Sequence, residues 1–384
     1  MATDKTIFEI LKDQDIGQIL TALEQVTPQE MALVDEAGHT LLHLAVFNQQ
    51  VEVAAVLLNK GAQPNKKNAT MLSPFIAAAA NGLADMFQLL LTYGPDLTET
   101  NRFGGSALLP SSEKGFIRVV QHALDAGVPV NHVNRLGWSA LLEAVVLGDE
   151  GFLFRDIVEE LMTFGADATI EDFTGKSAIA YSQEKVTPLI ADLLTKEIAA
   201  TVFTEIKQWL RSDESYRAIQ ALLKMEQSLE QLYYLGFAYE GLAQYDAASY
   251  YYQKGLALDP QFAYYLANLA KARGQVERSL SYFDMGAEMS SNRAFFIYHK
   301  SNYLRELGRH PQALEVMDEL LANDPERVDY MFHKANSLRS LGDLQAAYDV
   351  MVQADVLQAN NPLFREQAEQ ISSEMNDMED SGNG

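Results

Sequence analysis

Apolar residues along this chain come in short, paired runs rather than long blocks. The first clear run, Leu41-Leu42-His43-Leu44-Ala45, is opened by Thr40. Thirty-three residues on, Ser73 opens Pro74-Phe75-Ile76-Ala77-Ala78. At the same interval Ser106 opens Ala107-Leu108-Leu109, and Ser139 opens Ala140-Leu141-Leu142. Glycines close the units in step at Gly61, Gly94 and Gly127; the fourth, Gly165, comes five residues late. An insertion therefore lies between Ala144 and Gly165, and Ser177 opens a last, partial unit. Self-similarity at a fixed period marks stacked supersecondary units. Each unit predicts two short helices. The Thr or Ser caps the first helix by accepting from a free N–H, and Pro74 fits a first helical position. The closing glycine takes a left-handed C-cap.

Near residue 200 the pattern changes. Aromatic residues become dense, and Leu232, Leu235-Gly236, Tyr239, Tyr245, Ala248, Tyr252 and Pro260 set a new spacing. The small residue of the second helix recurs at Ser279, Ala313 and Ala347, the last two steps being 34 residues and the first 31. Gly274, Gly308 and Gly342 stand five residues before each, in the predicted turn between helices.

The first set of units resembles ankyrin repeats, whose signature runs Gly-x-Thr-Pro-Leu-His-x-Ala with a later Gly-Ala-Asp. Residues 70–185 are similar to a group of small bacterial ankyrin proteins, through Asn101-Arg102-Phe103-Gly104-Gly105 and Leu136-Gly137-Trp138. The second set resembles tetratricopeptide repeats. The resemblances imply an all-α chain with short β-hairpins, an ankyrin solenoid followed by a tetratricopeptide superhelix. The expected layout is a helical cap over residues 1–34, with helices Thr6–Lys12 and Asp15–Gln25. About 4.5 ankyrin units over 35–198 follow, with the insertion near 148–154. A degenerate helical pair over 199–228 leads into tetratricopeptide units and a closing helix over 229–375. Residues 376–384 read as a disordered acidic tail.

Composition narrows the function. Hydrophobic residues make up 48% of the chain, enough for packed cores. There is no cysteine, which excludes disulfides, thiolate chemistry and Cys-type zinc sites. The net charge is −24, split almost evenly between the halves. Such a chain repels phosphate backbones and anionic bilayers, so neither nucleic acid nor membrane is an expected partner. No secretory signal and no run of eighteen apolar residues is seen, and a bacterial cytoplasm fits. None of the seven histidines forms a metal-type pair, and no phosphate loop or nucleophile elbow is present. No catalytic, cofactor or metal residue is predicted, and the chain reads as a non-enzyme.

Two candidate binding surfaces remain. On the hairpin side Arg102, Arg135 and Trp138 are expected to project near one another, residue types that dominate binding energy at interfaces. The bland alternative has Trp138 packed on the neighbouring hairpin. In the second half, Asn268, Asn302 and Asn336 form one ladder, and Lys271, Arg305 and Arg339 a second, three residues on. Positions three apart share a helix face. Amides can bond an extended backbone in both directions, and arginine suits carboxylates. Repeat duplication alone would also place these residues, and the acidic tail could occupy the groove internally. The sequence therefore predicts a protein-binding scaffold or adaptor, monomeric or in a hetero-complex. Its partners would be proteins or peptides with acidic extended segments. Alternatives are an inhibitor, immunity protein or chaperone for one client, an effector acting on host proteins, or an enzyme with a diffuse site around Arg135 or Glu143.

Overall fold

The computed structural model describes residues 7–11 and 15–382 and is all-helical; the chain divides into two compact units, 1–196 and 197–384. The first unit opens with α1 (Ile7–Leu11), α2 (Ile16–Glu24) and a single turn, α3 (Pro28–Met31). The expected ends of the first helix, Thr6 and Lys12, lie outside the described residues. Five helical pairs follow: α4 (Leu41–Phe47) with α5 (Val51–Asn59), α6 (Pro74–Ala80) with α7 (Ala84–Leu91), α8 (Leu108–Glu113) with α9 (Ile117–Ala126), α10 (Ala140–Leu147) with α11 (Phe152–Thr163), and α12 (Ala178–Glu184) with α13 (Pro188–Thr195).

Four of these pairs start as the hydroxyl spacing predicts. Thr40, Ser73, Ser139 and Ser177 each accept from the N–H three residues on, at 3.2–3.4 Å. Ser106 does not, and its buried hydroxyl has no partner among the described residues. The cause is Pro110, which has no N–H to return to the Ser106 carbonyl. The turn tightens instead, with Leu109 N bonded to Ser106 O at 3.3 Å, and α8 begins late.

The ends of three helices in the first unit, α1, α6 and α10, are each served by a side chain that follows a later helix. Asn48, after α4, donates to Leu11 O at 2.8 Å, and Lys114, after α8, donates to Ala80 O at 3.0 Å. Lys185, after α12, reaches Val145 O, Val146 O and Gly148 O at 2.8–3.0 Å. These carbonyls have no intrahelical donor, and a cation there also opposes the helix dipole.

The second unit holds α14 (Thr204–Arg211) with α15 (Ser215–Leu222), α16 (Leu229–Gly241) with α17 (Tyr245–Leu256), α18 (Phe262–Ala272) with α19 (Val276–Met289), α20 (Arg293–Glu306) with α21 (His310–Asn323), α22 (Val328–Ser340) with α23 (Leu344–Leu357), and a closing α24 (Pro362–Gly382). Small buried residues recur in register on the paired helices: Gly236, Ala267, Ser301 and Ala335 on the first, Ala248, Ser279, Ala313 and Ala347 on the second. Ser279 Oγ donates to Ala267 O at 2.9 Å and Ser301 Oγ to Ala313 O at 3.3 Å between the helices of two such pairs. The helix α24 runs past Met375 to Gly382, into the segment expected to be disordered; residues 383–384 lie outside the described residues. No proline or glycine interrupts the chain between Pro362 and Gly382, and Glu, Gln and Met are good helix formers.

Candidate partner-binding surfaces

In the first unit, turns project between successive helical pairs, and each is closed by one side chain. Asp35, Asn68, Asn101, Asn134 and Asp172 each accept from the backbone N–H groups two and four residues on, at 2.8–3.2 Å. Neighbouring turns then bond to each other, Ala69 N to Ala37 O at 3.0 Å and Arg135 N to Phe103 O at 2.9 Å. Strand pairing in these fingers is limited to the isolated bridges Val133–Ser139 and Glu171–Ser177 among the described residues. Gly104, at φ +74°, lets them stack: a Cβ there would lie 2.9 Å from Arg135 Cγ.

Of the three residues expected to form the finger contact, the two arginines lie on neighbouring fingers and Trp138 does not join them. Arg102 lies with its guanidinium 4.5 Å from the Phe103 ring centroid, and Arg135 is half-buried on the next finger. Trp138 is interior. It is only 6% exposed, and its Nε1–H donates to Asp172 Oδ2 at 3.1 Å. Tyr181 donates to the same oxygen at 2.6 Å. Burial raises the Asp172 pKa, but hydrogen bonds from Thr174, Tyr181 and Trp138 together outweigh it and hold the carboxyl below the usual carboxylate range. Trp138 is therefore struck from the binding surface.

In the second unit the two ladders are built on α18, α20 and α22. Much of their hydrogen-bonding capacity is used internally. Asn302 is buried, with its Oδ1 accepting from Arg305 Nη2, and Asn336 Nδ2 donates to Phe332 O at 2.9 Å. Asn268 is half-buried. Lys271 is paired with Glu306 and sits 4.9 Å from the Tyr303 ring centroid. Arg339 bonds two residues of the closing helix, Gln367 at 3.1 Å and Glu374 at 2.5 Å. The internal partner of Arg339 is thus Glu374 on α24, just before the segment expected to be disordered. Sequence reasoning missed Glu306 and Glu374, although each stands 35 residues after its cation. The near-copied lysines beside the ladder have structural partners, Lys300 with Asp284 at 2.5 Å and Lys334 with Asp318 at 2.6 Å.

Comparison with known proteins identifies the first unit. A family model for ankyrin repeats (three copies) matches residues 75–172, and one for a single ankyrin repeat matches 37–69. The putative ankyrin repeat protein YahD of Escherichia coli (strain K12) is 34% identical over 181 residues, which are 47% of this chain and 89% of that protein. The chain belongs to the ankyrin-repeat family. An ANK repeat-containing protein of Caenorhabditis elegans, nipk-1, is 28% identical over 173 residues, 44% of this chain but 24% of that one. Among solved structures, an ankyrin repeat domain from Acinetobacter baumannii AYE shares 35% identity over 49% of this chain and 95% of its own, with a TM-score of 0.47.

Ankyrin repeats are a protein-binding fold, generally without catalysis, and no catalytic domain is indicated here. Among the described residues no helix is long and apolar enough to cross a membrane. The ankyrin histidine is structural. His43 Nδ1 accepts from Thr40 N–H at 3.1 Å, which leaves the proton on Nε2 to donate to Leu72 O at 2.9 Å. Burial pushes this imidazole below its ordinary pKa. One buried carboxylate links ankyrin repeats: Glu99 accepts from Ser73 Oγ at 2.8 Å and from Asn65 Nδ2. Burial nevertheless raises its pKa.

Proposed function

We propose that the chain is a non-enzymatic adaptor of the bacterial cytoplasm that binds proteins through both units. The ankyrin unit would hold one folded partner on its fingers and inner helices. The second unit, read as four tetratricopeptide repeats with a closing helix, would take an extended peptide along α18, α20 and α22. The observation that carries this reading is the preorganisation of the ankyrin fingers. Every finger is closed by its own Asp or Asn, so the array loses little conformational freedom on binding. The amide and cation ladders support the peptide-binding half.

The test uses the tagged full chain, retained from lysate at stoichiometric yield. Arg102→Ala with Arg135→Ala is expected to lose one discrete partner without altering the fold. Asn268→Ala with Arg305→Gln is expected to lose an extended segment of the same or a second partner. Recovery of the same proteins by wild type and both variants would overturn the proposal.

A further inference from the structure

The register of the second unit leaves one cation without a carboxylate. Lys271, Arg305 and Arg339 occupy equivalent places on α18, α20 and α22, 34 residues apart. Thirty-five residues beyond Lys271 stands Glu306, and 35 beyond Arg339 stands Glu374; each is ion-paired with its cation. Thirty-five beyond Arg305 the chain has Ser340, whose hydroxyl donates to Asn336 O at 3.0 Å. Among the described residues no carboxylate pairs with Arg305. Its Nη2 donates to the neutral Asn302 amide, and its Nε is buried with no partner. The charge acts on its surroundings: burial, and after it Arg305, lower the pKa of His310. A half-buried guanidinium that no carboxylate neutralises favours a ligand that presents paired oxygens to its accessible face.

We propose that Arg305 seats one side-chain carboxylate, Asp or Glu, of an extended partner peptide, in the slot where the repeat register has Ser340 instead of an acid. This rests on the peptide-binding reading of the second unit and adds its selectivity. Closed ion pairs flank the slot on both sides, so the neighbouring peptide residues are uncharged. A polyacidic segment is disfavoured by the chain's own net charge of −24. The recognised feature is a single acid in a neutral stretch.

The probe is a displayed library of random dodecapeptides panned on the full chain. Retained peptides are expected to share one Asp or Glu, and replacing it by the amide should weaken binding at least tenfold in fluorescence anisotropy. Ser340→Glu, an exposed position, supplies the missing carboxylate from within. It is expected to weaken the same peptides at least tenfold, with an unchanged circular dichroism spectrum, and to have no further effect beside Arg305→Gln. Peptides that bind wild type and Ser340→Glu alike, or that tolerate the amide, overturn the carboxylate slot and leave the groove reading standing. Loss of binding only on amidating the peptide terminus overturns the side-chain assignment in favour of a chain end. If no peptide is retained, the groove reading falls and the slot with it.

Discussion

Gly236 lies inside α16, where alanine would ordinarily be welcome. Replacing glycine by alanine in a helix interior gains about 1 kcal/mol from backbone entropy. Here the methyl would overlap the ring of Tyr252, coming within 2.8 Å of Cζ and closer to Cδ1 and Cε1. That ring cannot swing aside. It is 2% exposed, its hydroxyl bonds Glu240 at 3.1 Å, and it lies 5.5 Å from the Tyr265 ring. Overpacking of this kind costs about 1–3 kcal/mol, and contact with a wedged ring lies toward the upper end. The net expectation for Gly236→Ala is a loss of roughly 1–2 kcal/mol. Other units carry the compensating combination in register: Ala267 with Phe283, Ser301 with Met317, Ala335 with Met351. The double variant Gly236→Ala, Tyr252→Met copies the last of these and should recover stability, with a coupling of about 1 kcal/mol or more. Urea unfolding of the full chain is the assay, read from Trp209 in a Trp138→Phe background so that the signal comes from the second unit. A Gly236→Ala variant more stable than wild type, or strict additivity in the double variant, would refute the steric argument.

Three further outcomes are expected. Because burial raises the folded-state pKa of Glu99, its contribution is stabilising below the unfolded carboxylate pKa and is lost as pH rises through the folded value. Glu99→Gln should therefore raise the melting temperature near about pH 7 and lose that advantage near about pH 4. Ala243 and Val186 stand at φ +55° and +54°, in turns where other units have glycine, so Ala243→Gly and Val186→Gly should each stabilise by roughly 0.5–1 kcal/mol in thermal unfolding. Asp329, 2% exposed, holds Arg327 through two bonds of 2.7 Å, and Asp329→Ala should cost roughly 2–4 kcal/mol while Arg327→Met with Asp329→Leu costs far less.

The two repeat periods, the helical pairs and the turn glycines were legible in the chain because each depends on local chemistry. Ser106 was misread as a cap because the proline that cancels it sits four residues downstream. Trp138 looked like a surface anchor because its partner, Asp172, lies 34 residues away across the insertion, where a fixed 33-residue period does not point. The cation ladder was visible, but its acidic complement was not. Seeing it requires knowing that each first helix faces the next along a shared surface, which the periodicity of one helix does not reveal. The tail was judged by its charge, whereas its freedom from helix breakers matters more once Leu363, Phe364 and Ile371 anchor the helix.

Three side chains of the first unit reach backward to finish an earlier helix, Asn48 to α1, Lys114 to α6 and Lys185 to α10. Such one-way dependence gives the array a direction in time. A chain made from its N-terminus leaves the ribosome with the ends of α6 and α10 still open, and closes each only when the following repeat has emerged. A break in synthesis just after α7 or α11 would leave those carbonyls facing solvent, without the lysine that finishes them.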